Sequence, residues 1–316
     1  NSSINSLVHA HIIRLNIDGT MDTTFGAQGM LSIQEVREVN GATLQSNGKI
    51  VITGANNDFN IILARFNTDG SPDNSLGTNG ILVQPDDASV AESVTIQSDG
   101  RIIIAGYLSK VPPGGGNYNK ELFAMRFLEN GDFDENFATS GIFSHTGIVS
   151  QGNSVLVQED GGVVIGGVQD GRAMVMRLTS DGALDNTFND DGIFSFGQSD
   201  SNSRIYNMVQ QHDGKILGYS MINAVISVLR LNSDGSLDST FIGEDEQAEG
   251  IITTDITIAS SHLEGRDDSL IQQEDGKILV AGYTFTDAMG NSNKAIMALA
   301  RYNSDGSADA GNFGSN

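Results

Sequence analysis

Short apolar runs separated by polar turns make up most of the chain. In one stretch the runs are 93–97, 101–107, 122–127 and 141–144, and Gly, Asp and Asn lie between them. Runs of about four to eight residues, rich in Ile, Val and Leu and bounded by turn residues, predict β-strands. No stretch shows a sustained helical period. We therefore predict an all-β chain built of four-stranded units, with strands a, b, c and d.

A glycine-containing turn separates strands a and b. It contains Asn47-Gly48 in one unit and Asp99-Gly100 in the next. Asn-Gly and Asp-Gly supply the positive φ angles of a type I′ β-hairpin. We therefore predict that strands a and b are antiparallel neighbours joined by a type I′ turn.

Two sequence signatures alternate along the chain. The first is RLNSDGSLDSTF at 230–241, and related copies begin near residues 14, 65, 126, 177 and 301. The second surrounds the a–b turn, as in LQSNGKIVITG at 44–54 and QQEDGKILVAG at 272–282. Self-similarity on this scale indicates a repeat architecture. Four-stranded units repeated radially form a β-propeller, typically of 4–8 blades.

The strand count favours five blades. The pattern contains five a, five b, six c and five d strands, whereas five four-stranded blades need one strand fewer. The N-terminal d strand (30–34) is expected to complete the last blade, so that strands from both ends close the ring. One c strand, either 11–15 or 296–302, is then surplus. We predict a single propeller over residues 1–316.

An Arg and an Asp recur eight residues apart in every copy of the first signature. A paired Arg and Asp would brace the loop, and this structural role is favoured because catalysis would not require so many copies. The predicted pairs are Arg14–Asp22, Arg65–Asp73, Arg126–Asp134, Arg177–Asp185, Arg230–Asp238 and Arg301–Asp309.

The first signature resembles the delta-60 repeat, a bacterial β-propeller repeat with the hallmark DGSLDxxFGxxG. The matching residues are clearest in DGTMDTTFGAQG at 18–29 and DGALDNTFNDDG at 181–192, and the resemblance covers essentially the whole chain. The chain departs from the hallmark at Asn130, at Leu76 and after Phe241. The resemblance implies an exported or surface-located bacterial propeller of uncharacterised role. It brings no catalytic residues.

Charge and composition exclude several classes of function. The chain has 40 acidic and 17 basic residues, a net charge of −23, and no cysteine. An acidic surface repels nucleic acid and anionic membranes, and no apolar run is long enough to span a bilayer. Without cysteine there is neither a disulfide nor a thiolate metal site. The sequence begins at Asn1 rather than Met, which either a removed export signal or another choice of chain boundary explains. With the resemblance above, we expect an extracellular or cell-surface protein whose signal peptide has been removed.

The Asp-Gly loops raise the question of calcium, and no other cofactor is predicted. Aligned to an EF-hand loop, the signature would place Arg230 at the first ligand position and Phe241 at the twelfth, which excludes that type of site. A calcium site of another kind, formed by Asp234 or Asp238 with carbonyl groups, stays open.

Three links between strands are longer than their counterparts: 107–120 and 283–294 between b and c, and 255–268 between d and a. In a propeller these connections emerge on one face, and variable loops on a rigid scaffold often carry binding sites. The aromatic residues expected to contact a glycan or a protein there are Tyr107, Tyr118, Tyr283 and Phe285. Neutral loop variation is the alternative.

A glutamine lies three residues before the a–b turn glycine in every unit. In a propeller, strand a lines the central channel, so these side chains could hold water or an ion there. Alternatively, they hydrogen-bond to neighbouring backbone groups. The residues are Gln45, Gln97, Gln158, Gln211 and Gln273.

Three functions follow from this interpretation. We predict first a non-enzymatic assembly subunit that binds a second copy of itself and polymerises by exchanging the surplus terminal strand. The alternative is a monomeric, lectin-like or adhesin-like module that binds a cell-surface glycan or protein through the insertion-bearing face. A glycosidase comes third, because two carboxylates across a channel mouth would suffice, although no catalytic pair stands out.

Overall fold

All regular structure in the described part of the chain is β. The computed structural model describes residues 9–84, 89–110, 119–146, 148–197, 199, 203–222, 225–243, 249–257, 270–285 and 295–309. These residues contain 21 strands and no helix. The chain divides into two compact units, Asn1–Val157 and Gln158–Asn316.

The strands of the first unit form antiparallel sheets in sequence order. They are β1 (Ala10–Ile13), β2 (Met30–Ile33), β3 (Val36–Leu44), β4 (Ile50–Asn56), β5 (Ile61–Phe66), β6 (Ile81–Gln84), β7 (Val90–Ile96), β8 (Ile102–Lys110), β9 (Asn119–Phe127), β10 (Ile142–Ser144) and β11 (Ser150–Val157). Strands β1 and β2 form a two-stranded sheet, and β3–β6 and β7–β10 each form a four-stranded sheet. Strand β11 packs beside β7, β8 and β9.

The second unit is built in the same way. Its strands are β12 (Val163–Gln169), β13 (Arg172–Leu178), β14 (Ile193–Phe196), β15 (Arg204–Gln210), β16 (Ile216–Ile222), β17 (Val225–Leu231), β18 (Ile251–Thr257), β19 (Leu270–Gln272), β20 (Ile278–Phe285) and β21 (Ala295–Tyr302). Strands β12, β13 and β14 pair in sequence. Strands β15–β18 form a four-stranded sheet, and β19–β21 form a three-stranded one.

The terminal strands do not form the predicted closing blade. The N-terminal d strand, β2, pairs with β1, in register from Ala10 opposite Ile33 to Ile13 opposite Met30. This local pairing closes a short loop, which costs less chain entropy than pairing with a distant strand. Strands β19–β21 form a sheet of three strands in the described chain. Five blades and ring closure are therefore not confirmed.

The a–b turns are not the predicted type I′ turns. Gly48 donates its backbone N–H to Gln45 at 2.8 Å, and Gln45 donates to the carbonyl of Lys49 at 2.9 Å. Gly48 has a φ of +82°, but Asn47 is not among the residues with positive φ. A three-residue loop, in which a type I turn is followed by one left-handed glycine, accounts for this geometry. The predicted antiparallel a–b pairing is confirmed, but the turn type is wrong.

The hydrophobic core lies between consecutive sheets. In the first unit, Val51 and Leu63 of one sheet share a buried cluster with Ile104 and Phe123 of the next. All six residues of β5 are buried. A sheet covered on both faces needs apolar residues at successive positions, which explains why the inner strands read as continuous apolar runs rather than as alternating ones.

Candidate functional site

The six Arg–Asp pairs with a spacing of eight residues are ion pairs. In the first full repeat, Arg65 Nε lies 2.6 Å from Asp73 Oδ2, and the arginine side chain is 1% exposed. The other distances are 2.8 Å for Arg14–Asp22, 2.9 Å for Arg126–Asp134, 3.1 Å for Arg177–Asp185, 2.6 Å for Arg230–Asp238 and 2.7 Å for Arg301–Asp309. A buried guanidinium needs such a carboxylate, because an unpaired charge is costly away from water.

The same arginines connect one repeat to the next. Arg65 donates through Nη1 to the carbonyl of Glu129, at 2.7 Å, and through Nη2 to Ser75 Oγ, at 2.9 Å. Glu129 lies in the Asp-Gly-type turn of the following repeat. Two further arginines make the equivalent bond to the following repeat, Arg14 to the carbonyl of Thr68 and Arg230 to that of Ser304. The guanidinium therefore joins its own aspartate to a neighbouring turn.

A second cation contacts four of these aspartates. In the first full repeat, Lys49 Nζ lies 2.7 Å from Asp73 Oδ2. The equivalent distances are 2.8 Å for Arg101–Asp134, 2.7 Å for Lys215–Asp238 and 3.1 Å for Lys277–Asp309. This residue directly follows the a–b turn glycine. The recurring Gly-Lys or Gly-Arg was a signal in the sequence that could have identified it.

Five of the six aspartates are buried, and for Asp73 and Asp238 hydrogen bonds keep the carboxyl ionised. Burial by itself would raise the pKa of the Asp73 carboxyl, but hydrogen bonds from Lys49 and Ser75 outweigh it and hold that pKa well below its usual range. The pKa of Asp238 is lowered in the same way, by hydrogen bonds from Lys215 and Thr240, which correspond to Lys49 and Ser75. Each carboxylate is therefore a fixed negative charge at neutral pH.

The last apolar residue of the signature packs beneath the turn of the following repeat. Phe25 is fully buried, and a Cβ added to Gly70 would lie 3.1 Å from its ring. The Gly26 N–H also donates to the carbonyl of Asp69 in that turn, at 2.8 Å. The same contact joins Phe188 to Gly235, Phe241 to Gly306 and Leu76 to Gly131. Glycine suits this turn because the φ of Gly70 is +84° and because a side chain would meet the ring.

Of the four aromatic residues predicted for the insertion-bearing face, the structure describes only some. Tyr107 is half-buried near the end of β8, and Lys120 Nζ lies 3.8 Å from the centre of its ring. Tyr118 lies outside the described residues. The backbones of Tyr283 and Phe285 belong to β20, but their side chains are outside the described part of the structure. Binding through this face stays a prediction.

Exposed apolar side chains occur on both terminal sheets. Ile13 and Leu15, in or just after β1, are each 55% exposed, and Met297 in β21 is 75% exposed. The other exposed members of these two regions are Ile17, Met21, Met30, Ile271 and Leu299. By contrast, the strands of the four-stranded sheet β7–β10 have no large apolar side chain in this class. In the described residues these two sheets have fewer than four strands and carry several exposed apolar side chains, and the four-stranded sheet β3–β6 carries two, Leu44 and Val83.

A polar groove opens between two consecutive repeats of the second unit. It has a volume of about 490 Å³, and its wall includes Gln211, His212, Asp213, Arg230, Gln272 and Asp305. We call it the 211–305 groove. Its volume falls within the range of small-molecule sites, roughly 300–1,000 Å³. Gln211 and Arg230 are buried at its floor, and the other four residues are partly or fully exposed.

The side-chain oxygens of the recurring glutamines do not accept hydrogen bonds from neighbouring backbone groups. The Oε1 atom is buried and has no hydrogen-bond partner in Gln45, Gln97, Gln158, Gln211 and Gln273. A buried acceptor without a donor is costly, and its repetition indicates a shared structural position. Only their backbones take part in the a–b turns.

The described residues provide no cluster of three or more His, Cys, Asp or Glu side chains suited to a metal ion. In the loop considered for calcium, Asp234 Oδ1 already accepts hydrogen bonds from the backbone N–H and the hydroxyl of Ser236. Asp238 is occupied by Arg230 and Thr240. The loop aspartates thus stabilise their own turns. No helix in the described chain has the length and hydropathy of a membrane span.

The family comparison matches the same structural element in each repeat. The DUF5122 family, described as a β-propeller domain of unknown function, matches residues 1–25, 45–76, 97–137, 158–188, 211–241 and 273–311. The chain belongs to the DUF5122 β-propeller family. Four of the matched DUF5122 segments run from the recurring glutamine to a buried Phe or Leu, and in three of them this last residue packs under the following turn: Leu76, Phe188 and Phe241. The family model therefore matches the segments that contain the contacts between consecutive repeats. The similarity to the delta-60 repeat stays a resemblance.

Several solved structures are similar to this chain at low sequence identity. A Bacteroides caccae protein of unknown function is 11% identical over 96% of this chain and 92% of its own, with a TM-score of 0.48. A Dyadobacter fermentans protein of unknown function is 9% identical over 93% and 82%, with a TM-score of 0.49. Virginiamycin B lyase from Staphylococcus aureus is 13% identical over 84% of each chain, with a TM-score of 0.38. These likenesses assign no activity to the DUF5122 chain. No curated protein matches the sequence.

Proposed function

We propose that the protein is a non-enzymatic structural propeller whose two incomplete terminal sheets are its assembly contacts. The observation that carries this proposal is the exposure of Ile13, Leu15, Met297 and Leu299 on those sheets. A sheet edge presents unpaired backbone N–H and C=O groups, and apolar side chains beside it favour the addition of another strand.

The strand order supports a second copy of this chain as the partner. In the sheets β3–β6 and β15–β18, the c strand lies between a b and a d strand. Strand β21 is also a c strand, but in the described residues its sheet contains only a, b and c. The β1–β2 sheet of another molecule would supply the missing neighbour. Such a head-to-tail contact extends into a filament unless the rotation closes a ring.

The same edges can also meet within one chain. Pairing of β1–β2 with β19–β21 in the same molecule would complete a five-bladed ring over residues 1–316. A location on the bacterial surface belongs to this proposal as well. The acidic, cysteine-free composition and the delta-60 resemblance support it.

Light scattering over a concentration series tests assembly between copies. We expect the average mass of the purified chain to rise with concentration. The exposed-site variant Leu299→Lys should remain monomeric, because a lysine on an edge strand opposes pairing with another strand. Val83→Lys is the matched control, because Val83 is 40% exposed on a four-stranded sheet, and it should assemble like the wild type.

A wild-type protein that is monomeric at every concentration would show that the edges do not join copies. That result would favour closure within one chain and would leave the insertion-bearing face as the alternative binding surface. Equal loss of assembly in both lysine variants would point to a general effect of charge rather than to the terminal sheet.

A further inference from the structure

Two histidines, His9 and His11, lie on one face of the two-stranded sheet β1–β2. Successive side chains of a strand point to opposite faces. Ala10 and Ile12 belong to the buried cluster that this sheet shares with the sheet β3–β6. His9, His11 and Ile13 therefore share the other face, where His11 and Ile13 are exposed. The two imidazoles stand side by side on the outer face, two residues apart.

Both imidazoles are anchored to the neighbouring strand segment through the same ring atom. His9 Nδ1 lies 3.2 Å from the carbonyl oxygen of Gln34. His11 Nδ1 lies 2.9 Å from the hydroxyl oxygen of Ser32, the residue directly opposite in β2. Since a carbonyl oxygen only accepts, Nδ1 of His9 carries the ring proton and Nε2 holds the lone pair. The Ser32 hydroxyl can accept in the same way, which gives His11 the same tautomer.

This arrangement is the one in which a neutral imidazole binds a metal ion. A metal-bound histidine coordinates through one ring nitrogen and donates the N–H of the other to an oxygen, which fixes the tautomer and the orientation of the ring. Gln34 and Ser32 supply that oxygen for His9 and His11. The supporting hydrogen bonds of a two-histidine metal site are thus built into the sheet.

The spacing of the two histidines suits a single ion. Residues two apart on a strand are separated by about 6.6–6.8 Å. Two Zn–N bonds of about 2.0–2.1 Å at a tetrahedral angle need nitrogens about 3.3 Å apart. The χ2 torsion of histidine is broad, so a modest rotation of each ring towards the other brings the Nε2 atoms to this separation.

We propose that His9 and His11 chelate one divalent transition-metal ion, such as Zn²⁺, Ni²⁺ or Cu²⁺, through their Nε2 atoms. Imidazole ligands select these ions over Ca²⁺ and Mg²⁺, which prefer oxygen ligands. Two protein ligands leave coordination positions open for water or for a donor group of another molecule. The imidazoles stand on the face of the sheet, whereas a further strand would add at its edge. Metal binding is therefore a property separate from the proposed assembly contact.

A zinc titration followed by nuclear magnetic resonance of the five histidine imidazoles tests the site. Excess Mg²⁺ is included to occupy carboxylate sites on the acidic surface. We expect zinc to shift the signals of His9 and His11, to leave the other three in place, and to bind at one ion per chain. In calorimetric titrations, His11→Ala should weaken zinc binding by about tenfold or more, because one of two ligands is lost. Because His11 is exposed, this variant should keep its fold.

His212→Ala is the matched control, because His212 is also exposed but lies in an a–b turn that has no second histidine two residues away. It should bind zinc like the wild type. The absence of saturable zinc binding would overturn the proposal, as would equal affinities of the wild type and His11→Ala. Zinc shifts spread over all five histidines, or displacement of zinc by calcium, would also overturn it and would assign the binding to the acidic surface.

Discussion

Two copies of the repeat, 45–76 and 158–188, hold the signature aspartate in different ways. Asp73 has two cationic groups within 2.7 Å, whereas Asp185 has one, at 3.1 Å. The cation that is missing from the second copy would follow the a–b turn, where this repeat has Gly162. The same fold of the loop is therefore stabilised by two different charge arrangements.

Gly162 leaves space that Arg177 occupies. A Cβ on Gly162 would lie 2.7 Å from Arg177 Nε, which has no hydrogen-bond partner in the described chain. Arg177 instead contacts Asp160 of the a–b turn as well as Asp185. One arginine thus serves two carboxylates, and its side chain is 13% exposed rather than the 1% of Arg65. The comparison shows that the same loop forms with one cation fewer where a single arginine contacts two carboxylates.

The largest expected difference between the two copies follows removal of the aspartate. Asp73→Ala leaves the buried Arg65 without its carboxylate, and we expect a loss of about 3–5 kcal/mol in the free energy of unfolding. Asp185→Ala should cost only about 1–2 kcal/mol, because Arg177 is more exposed and keeps Asp160. Urea unfolding of both variants measures this. Equal losses would show that the two arrangements are energetically equivalent.

For the contact between the last apolar residue of a repeat and the turn of the next repeat, the larger loss of stability is expected in the copy 158–188 rather than in 45–76. A Cβ on Gly235 would lie 2.8 Å from the Phe188 ring, whereas one on Gly131 would lie 3.5 Å from Leu76. Both glycines have positive φ, so alanine costs about 1–2 kcal/mol at either position. Overpacking against Phe188 should add about 1–3 kcal/mol for Gly235→Ala alone. Thermal unfolding of the two variants would contradict this if Gly131→Ala were the less stable.

Acid should remove the advantage of the two-cation arrangement. The folded-state pKa of Asp73 lies below the unfolded value of about 3.9, so its contribution is present above that pH and is lost as the pH falls towards the folded pKa. Lys49→Met should lower the free energy of unfolding by about 1 kcal/mol at neutral pH. Urea unfolding of the wild type and of Asp73→Asn at pH 7 and pH 3 should show the advantage of the wild type shrinking by about 1 kcal/mol in acid, because the unfolded Asp73 becomes protonated there. An unchanged advantage would show that Asp73 does not have a lowered folded-state pKa.

The smallest expected effect comes from adding the missing cation. Gly162→Lys should raise the free energy of unfolding by about 0.5–1 kcal/mol, because a lysine there adds the second cation for Asp185 once the Arg177 side chain shifts away from the new Cβ. Gly162→Met serves as the control of similar length without charge. An equal gain in stability in both variants would show that the replacement of glycine, and not the new ion pair, causes it.

The sequence predicted the features that lie within one loop or one strand. Apolar runs predicted the strands, and the eight-residue spacing predicted Arg65–Asp73 because Arg65 near the end of β5 and Asp73 in the following loop are close in the sequence. Side-chain contacts between different hairpins or repeats were missed, since no single sequence window contains both partners. Lys49 belongs to a different hairpin from Asp73, and Phe25 meets the turn of another repeat. The pairing of β1 with β2 was missed for a different reason: matching strand patterns do not reveal which of two suitable neighbours a strand will choose.

The phenylalanine beneath the neighbouring turn also imposes an order on biosynthesis. Phe25 precedes Gly70 by about 45 residues, so its ring has no cover when its own repeat leaves the ribosome. At about 5–20 residues per second, translation supplies the covering turn roughly 2–9 s later. The packing of each newly made repeat is therefore complete only after the turn of the next repeat has been synthesised. During synthesis, a growing chain would expose one uncovered aromatic ring at its leading boundary, a ready contact for a chaperone.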